Sequence, residues 1–273
     1  MFNSKKITVA TAIAIISISA TALTPAAHAA LKTLTPGVLT IGTDDPAYGP
    51  WFDSNTPSNG KGFESAVAYA VAKQLGYPAS KVKWVKASFN SVIQPGKKSF
   101  DFDINQISIT EERRKVVDFS AGYYDVAQAV VTVKGSGIEK ATKISDLAKV
   151  ALGAQVGTTS LSTINSIVKP SKKAAVYDTN DLATAALSAG QIKGLVVDLP
   201  TAFYISATAK NAVLVGQFPA QAKAEQFGLV LGKGSALTAK VSAAVNALRA
   251  NGTLKAIADK WLANVGGAPV FTK

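Results

Sequence analysis

Residues Asp101 to Tyr124, DFDINQISITEERRKVVDFSAGYY, constrain this chain more than any other segment. An alternating run from Phe100 to Ile107 predicts a strand, and Glu111 to Lys115 predicts a short, charged helical turn. Thr110 is placed to cap that turn, and Glu111 and Glu112 fall where the helix dipole favours negative charge. Arg113 then lies one turn in, beside the Ser108 hydroxyl and the free amides of the helix start. A guanidinium fork in that setting suits a carboxylate, held by two parallel charge-assisted hydrogen bonds. Taken alone, an ERRK run reads more simply as a solvated face whose arginines pair with nearby glutamates.

The N-terminal segment places Lys5 and Lys6 before an apolar run from Ile7 to Leu23 and then Ala27-His28-Ala29. That order describes a secretory signal peptide over 1–29, with an apolar stretch too short to span a bilayer comfortably. Cleavage after Ala29 leaves 244 residues, enough for one large domain or two lobes with real cores. His28 and Met1 leave with the signal, so the mature chain has no Cys, His or Met. Thiol nucleophiles, imidazole bases, Ser-His-Asp triads and His/Cys zinc sites are thereby excluded from it. With no Cys there is neither a disulfide nor a cysteine for lipid attachment, and no cofactor or metal is expected. The mature balance is 27 basic against 17 acidic residues, a charge of +10. Its lysines are scattered, and the densest cluster, Arg113-Arg114-Lys115, follows two glutamates, so no nucleic-acid-binding stripe is expected.

Strands and helices alternate along the chain, the pattern of an α/β fold. Strands are predicted at Val38–Gly42, Val82–Val85 and Ala127–Val133, and near 149–154, 174–177 and 194–197. Helices are predicted over Glu64–Leu75, with apolar Val67, Val71 and Leu75 and a terminating Gly76, and over Ala236–Ala250 and Leu254–Val265. No Pro/Gly/Ser-rich linker separates consecutive domains.

The phrase ISITEER followed by VVDFS and GYY, with GFESAVAYAVAKQLG upstream and NGTLKAIADKW near the end, resembles the polar amino-acid solute-binding proteins of ABC importers. The resemblance covers nearly all of the chain after residue 36. It implies a two-lobed α/β fold of the type II periplasmic-binding-protein kind, with lobe 1 at 31–125 plus 227–273 and lobe 2 at 126–226. Crossings at Tyr123–Ala127 and Ala222–Phe227 would let the lobes close on a ligand. The implied protein is a periplasmic monomer that captures an L-amino acid and meets the membrane subunits of an ABC permease transiently.

A zwitterion needs a partner for each charge when it is buried. Arg113 with Ser108 is the carboxylate candidate, and the family's carboxylate-binding threonine falls at Thr159, with Gln155 nearby. GTTS at 157–160 reads equally as an ordinary helix cap. Asp198, at the end of the apolar run GLVV and before Pro200, is the amino-group candidate, or a capping residue. Tyr48 and Phe89 match the walls that sandwich the ligand side chain. Asp44 and Asp45 stand where the family has one aspartate, and counting from the strand or from Tyr48 selects different ones. Gln106 and Asn105 replace the small residues usual there. A negative charge at the side-chain end favours a polar or cationic ligand. The competing class is a cyclohexadienyl dehydratase-like enzyme on the same fold, which would have to use carboxylates or lysine for acid–base work.

Overall fold

The computed structural model describes residues 31–273, so the signal-peptide expectation for 1–29 lies outside the described residues. In chain order its main elements begin with β1 (Leu39–Thr43), α1 (Phe63–Gln74), β2 (Val82–Lys86), α2 (Phe89–Val92) and β3 (Phe102–Asp103). They continue with α3 (Glu111–Arg114), β4 (Val117–Val126), β5 (Gln128–Val133), β6 (Leu152–Gln155) and α4 (Thr159–Thr163). Next come β7 (Ala175–Tyr177), α5 (Asn180–Ser188), β8 (Gly194–Asp198), α6 (Leu199–Thr208) and β9 (Ala212–Gln217). The last are β10 (Glu225–Gly232), α7 (Thr238–Ala250) and α8 (Thr253–Trp261).

Among the described residues ten strands form two five-stranded sheets, ordered β2-β1-β3-β10-β4 and β7-β6-β8-β5-β9. The chain leaves the first sheet at Val126, enters the second at Gln128, and returns at Glu225. The outgoing and returning segments pair with each other, Glu225 opposite Val126 and Phe227 opposite Tyr124. Each sheet is mixed and packed on both faces, which is why β1 reads LTIGT and is buried along its whole length.

Helix periodicity explains the packing. In α1, Phe63, Val67 and Val71 recur every fourth residue and are fully buried. In α7, Val241, Ala244, Val245 and Leu248 make the equivalent stripe. At the junction of the sheets an aromatic cluster sets Trp51 edge-on to Phe63, Tyr124 and Phe227, with ring centroids 5.6–5.9 Å apart.

The differences from expectation are local. The predicted strand over Phe100–Ile107 is regular only at Phe102–Asp103, because the chain then turns through Gln106, whose φ is +49°. Strands β9 and β10 were not anticipated, although their AVLVGQ and FGLVLG runs carry the apolar signal of a buried strand. The C-terminal residues, grouped in the sequence reading with the first lobe, return to the second sheet. Val270 bridges Gln217, Thr272 bridges Lys143, and Phe271 is buried in the second sheet's core.

Candidate functional site

Thr110 caps α3 as the sequence implies: its Oγ1 accepts from the Arg113 backbone N–H at 3.2 Å. The cap fixes the first turn and directs the Arg113 side chain toward the second sheet. There its guanidinium donates to the carbonyl of Ser108 at 2.5 Å and, across the cleft, to the carbonyl of Gly157 at 2.9 Å. The cation also lies over the Phe89 ring, 5.4 Å from its centroid. Arg113 is 8% exposed and, among the described residues, forms no ion pair. Burial pulls its pKa down to about 10, while the charges of Glu225 and then Asp198 act in the opposite sense.

A cleft between the two sheets is lined by Asp44, Tyr48, Phe89, Gln106, Ser108, Arg113, Gln155, Thr159 and Asp198, with Asn105, Thr158, Ser160, Thr179, Asn180 and Val197. The structure therefore brings together every candidate residue of the sequence reading except Asp45. The walls stand close. Ser108 Oγ and Thr159 Oγ1, from opposite sides, are 3.3 Å apart.

The doubled aspartate divides its work. Asp44 faces the cleft, accepting from the Phe89 N–H at 3.1 Å and the Asp45 N–H at 2.8 Å. Asp45 turns outward to Lys86, 3.3 Å away, and to Asn55. The Asn55 bond and then Lys86 hold its carboxyl below the usual range. The two threonines of GTTS divide similarly. Thr158 caps α4, accepting from the Leu161 N–H at 3.1 Å, which leaves the Thr159 hydroxyl for the cleft.

Asp198 occupies the position before α6, yet its side chain makes no capping bond. It accepts instead from Gln128 Nε2 at 2.8 Å. Burial first, then the charge of Glu225, pushes its carboxyl well above the usual range, opposed by the Gln128 amide and Arg113. Burial also raises the Tyr48 phenol, with Asp181 beside it adding to the effect. Beneath the cleft floor, Glu64 accepts from the backbone N–H of Gln106 at 2.7 Å, from the Gln106 side-chain amide and from the Tyr123 hydroxyl. Gln106 thus belongs to a buried network as well as to the lining. Glu225 and Gln128 were missed by the sequence reading. Each sits at a crossing between the sheets, and no local motif marks them.

A buried cation on one wall, a half-buried acid on the other and hydroxyls between them can hold a small zwitterion. The chain is similar to known proteins over most of its length. The family model of bacterial extracellular solute-binding proteins, family 3, matches residues 39–264. The L-arginine-binding protein of Pseudomonas aeruginosa is 30% identical over 224 residues, covering 79% of this chain and 84% of that protein. The ABC transporter glutamine-binding protein GlnH of Bacillus subtilis is 29% identical, covering 77% of each. Among solved structures, an ancestral arginine-binding protein bound to arginine superposes with a TM-score of 0.68 at 29% identity, covering 82% of this chain and 98% of that one. This chain belongs to the bacterial extracellular solute-binding proteins of family 3.

Proposed function

We propose that the protein captures a free L-amino acid between its two sheets and delivers it to an ABC permease. The observation that supports this most is Arg113, a buried guanidinium without an ion pair among the described residues, facing Asp198 across the cleft. A buried guanidinium without a carboxylate in direct contact is costly, and a ligand carboxylate relieves that cost. The ligand's carboxylate lies on Arg113 and Thr159, beside Ser108, and its ammonium lies toward Asp198. Its side chain runs between Tyr48 and Phe89 toward Asp44, with Gln106 and Gln155 at its flanks. Asp45, paired with Lys86, stays outside the site.

Asp44 adds a negative charge at the side-chain end, so the preferred ligand carries a cationic or amide side chain. Two of the relatives carry names of that chemistry, arginine- and glutamine-binding, while another is named for L-cystine. The narrow cleft admits an amino acid only when its walls part, so residues 31–125 with the returning 227–267 segment move as one lobe and 126–226 as the other. The tail from Ala268 travels with the second lobe. The protein works as a monomer outside the cytoplasm and meets the permease's membrane subunits transiently. No helix among the described residues is long and apolar enough to cross a membrane.

The dehydratase reading finds support in a structural neighbour, an ancestral amino acid-binding protein described as a precursor of cyclohexadienyl dehydratase. The binding reading accords with the names of the curated relatives. Calorimetric titration of Arg113→Ala tests the assignment. Losing the carboxylate's buried partner should weaken binding by several kcal/mol. An affinity equal to that of the unsubstituted protein would remove Arg113 from the site.

A further inference from the structure

We infer that Glu225 is a second acid of the amino-group seat, so that the ligand's α-ammonium is shared between Asp198 and Glu225. This rests on the amino-acid reading above and deepens it. Three contacts place the Glu225 carboxylate there. Its Oε1 accepts from Ser108 Oγ at 2.5 Å. Its two oxygens lie 3.2 and 3.3 Å from Gln128 Nε2. The same Gln128 nitrogen donates to Asp198 Oδ1 at 2.8 Å.

The Gln128 orientation follows from its surroundings. Its Oε1 accepts from Ser160 Oγ at 2.6 Å, so its nitrogen faces the two carboxylates. One neutral amide, with two N–H groups, is thus the donor that Asp198 and Glu225 share. An ammonium brings three donors and a full positive charge, and satisfies two carboxylates where the amide serves them only in part. Ser108 Oγ, which donates to Glu225, also approaches Thr159 Oγ1, so the acid is continuous with the residues assigned to the ligand backbone.

With the ligand's ammonium seated and both acids ionised beside it, counting charges gives the consequence. Arg113 and the ligand carboxylate cancel, and Asp198 and the ammonium cancel, so Glu225 leaves one surplus negative charge before Asp44 is counted. Glu225 therefore strengthens binding of any α-amino acid and biases the whole site toward ligands of net positive charge. Its place at the first residue of β10, opposite Val126, ties the ammonium to both crossings.

The test is a thermodynamic cycle by calorimetry with L-arginine and its desamino analogue, 5-guanidinopentanoate, on the unsubstituted protein, E225Q and E225D. Glutamine at 225 still accepts from Ser108 but carries no charge. E225Q should weaken L-arginine binding on the order of 10- to 100-fold, leave the desamino analogue nearly unaffected, and be partly rescued in E225D. If the unsubstituted protein takes L-glutamine and not L-arginine, the same cycle uses L-glutamine and glutaramate. Equal weakening of both probes would show a role in the crossing alone and overturn the assignment. So would L-arginine affinity unchanged in E225Q. A protein that binds no amino acid would overturn the functional reading itself, a result distinct from these.

Discussion

The indole nitrogen of Trp51 donates to Thr201 Oγ1 at 2.9 Å, joining the loop after β1 to the first turn of α6 across the cleft. Both side chains are buried, and Gly49 in the same loop lies so close to Tyr204 that a Cβ there would sit 2.5 Å from its ring. The loop that carries Tyr48 is thus fastened to the helix that follows Asp198. Thr201→Val keeps the shape and removes the acceptor, leaving a buried N–H unsatisfied. It should lower stability by about 1–3 kcal/mol, read as a lower denaturation midpoint in urea. An unchanged midpoint would mean the bond contributes nothing.

Asp44→Asn should separate ligands by charge. Asparagine retains one acceptor for the Phe89 or Asp45 N–H and loses the negative charge. L-Arginine affinity should fall by about tenfold or more, and L-glutamine affinity by clearly less. Calorimetry with both probes checks this, and equal losses would place Asp44 in the loop's structure rather than in ligand selection.

Stability should decrease as pH rises from 5 to 8. Glu64 is fully buried, and burial raises its pKa from 4.5 to about 7, although bonds from Tyr123 and Gln106 oppose the shift. A carboxyl whose folded pKa exceeds its unfolded value holds its proton longer in the folded state. Its contribution is complete below the unfolded pKa and is lost as pH rises through the folded one, on the order of 3 kcal/mol in all. Asp103 and Asp198, raised by burial, act in the same direction. Denaturation midpoints measured against pH should slope downward in the unsubstituted protein and less steeply in Glu64→Gln.

Asp103 is fully buried and, among the described residues, neither of its carboxylate oxygens has a hydrogen-bond partner; it fills a space that exists because Gly42 has no side chain. A Cβ on Gly42 would come within 2.7 Å of Asp103 Oδ2. Asp103→Asn should raise stability at pH 8, where the carboxyl resists ionisation, and change little at pH 5. Thermal midpoints at the two pH values give the answer.

Local chemistry made much of this readable. Thr110 as a cap, the Val67 and Val71 stripe and the apolar GLVV run leading to Asp198 follow from spacing alone. The Asp44/Asp45 choice does not, because it depends on Lys86 and Asn55 claiming the second carboxylate. Nor does Glu225, whose partner Ser108 is 117 residues away and joined to it only when β10 returns to the first sheet. The resemblance supplied which residues face the cleft; spacing supplied why they stand at element ends.

The most direct test of the central claim is calorimetric titration of the purified protein with the twenty common L-amino acids. One-to-one, saturable binding led by arginine, lysine, histidine or glutamine is the predicted result. Absence of binding to all twenty, or much tighter binding of leucine, isoleucine or valine, would contradict it.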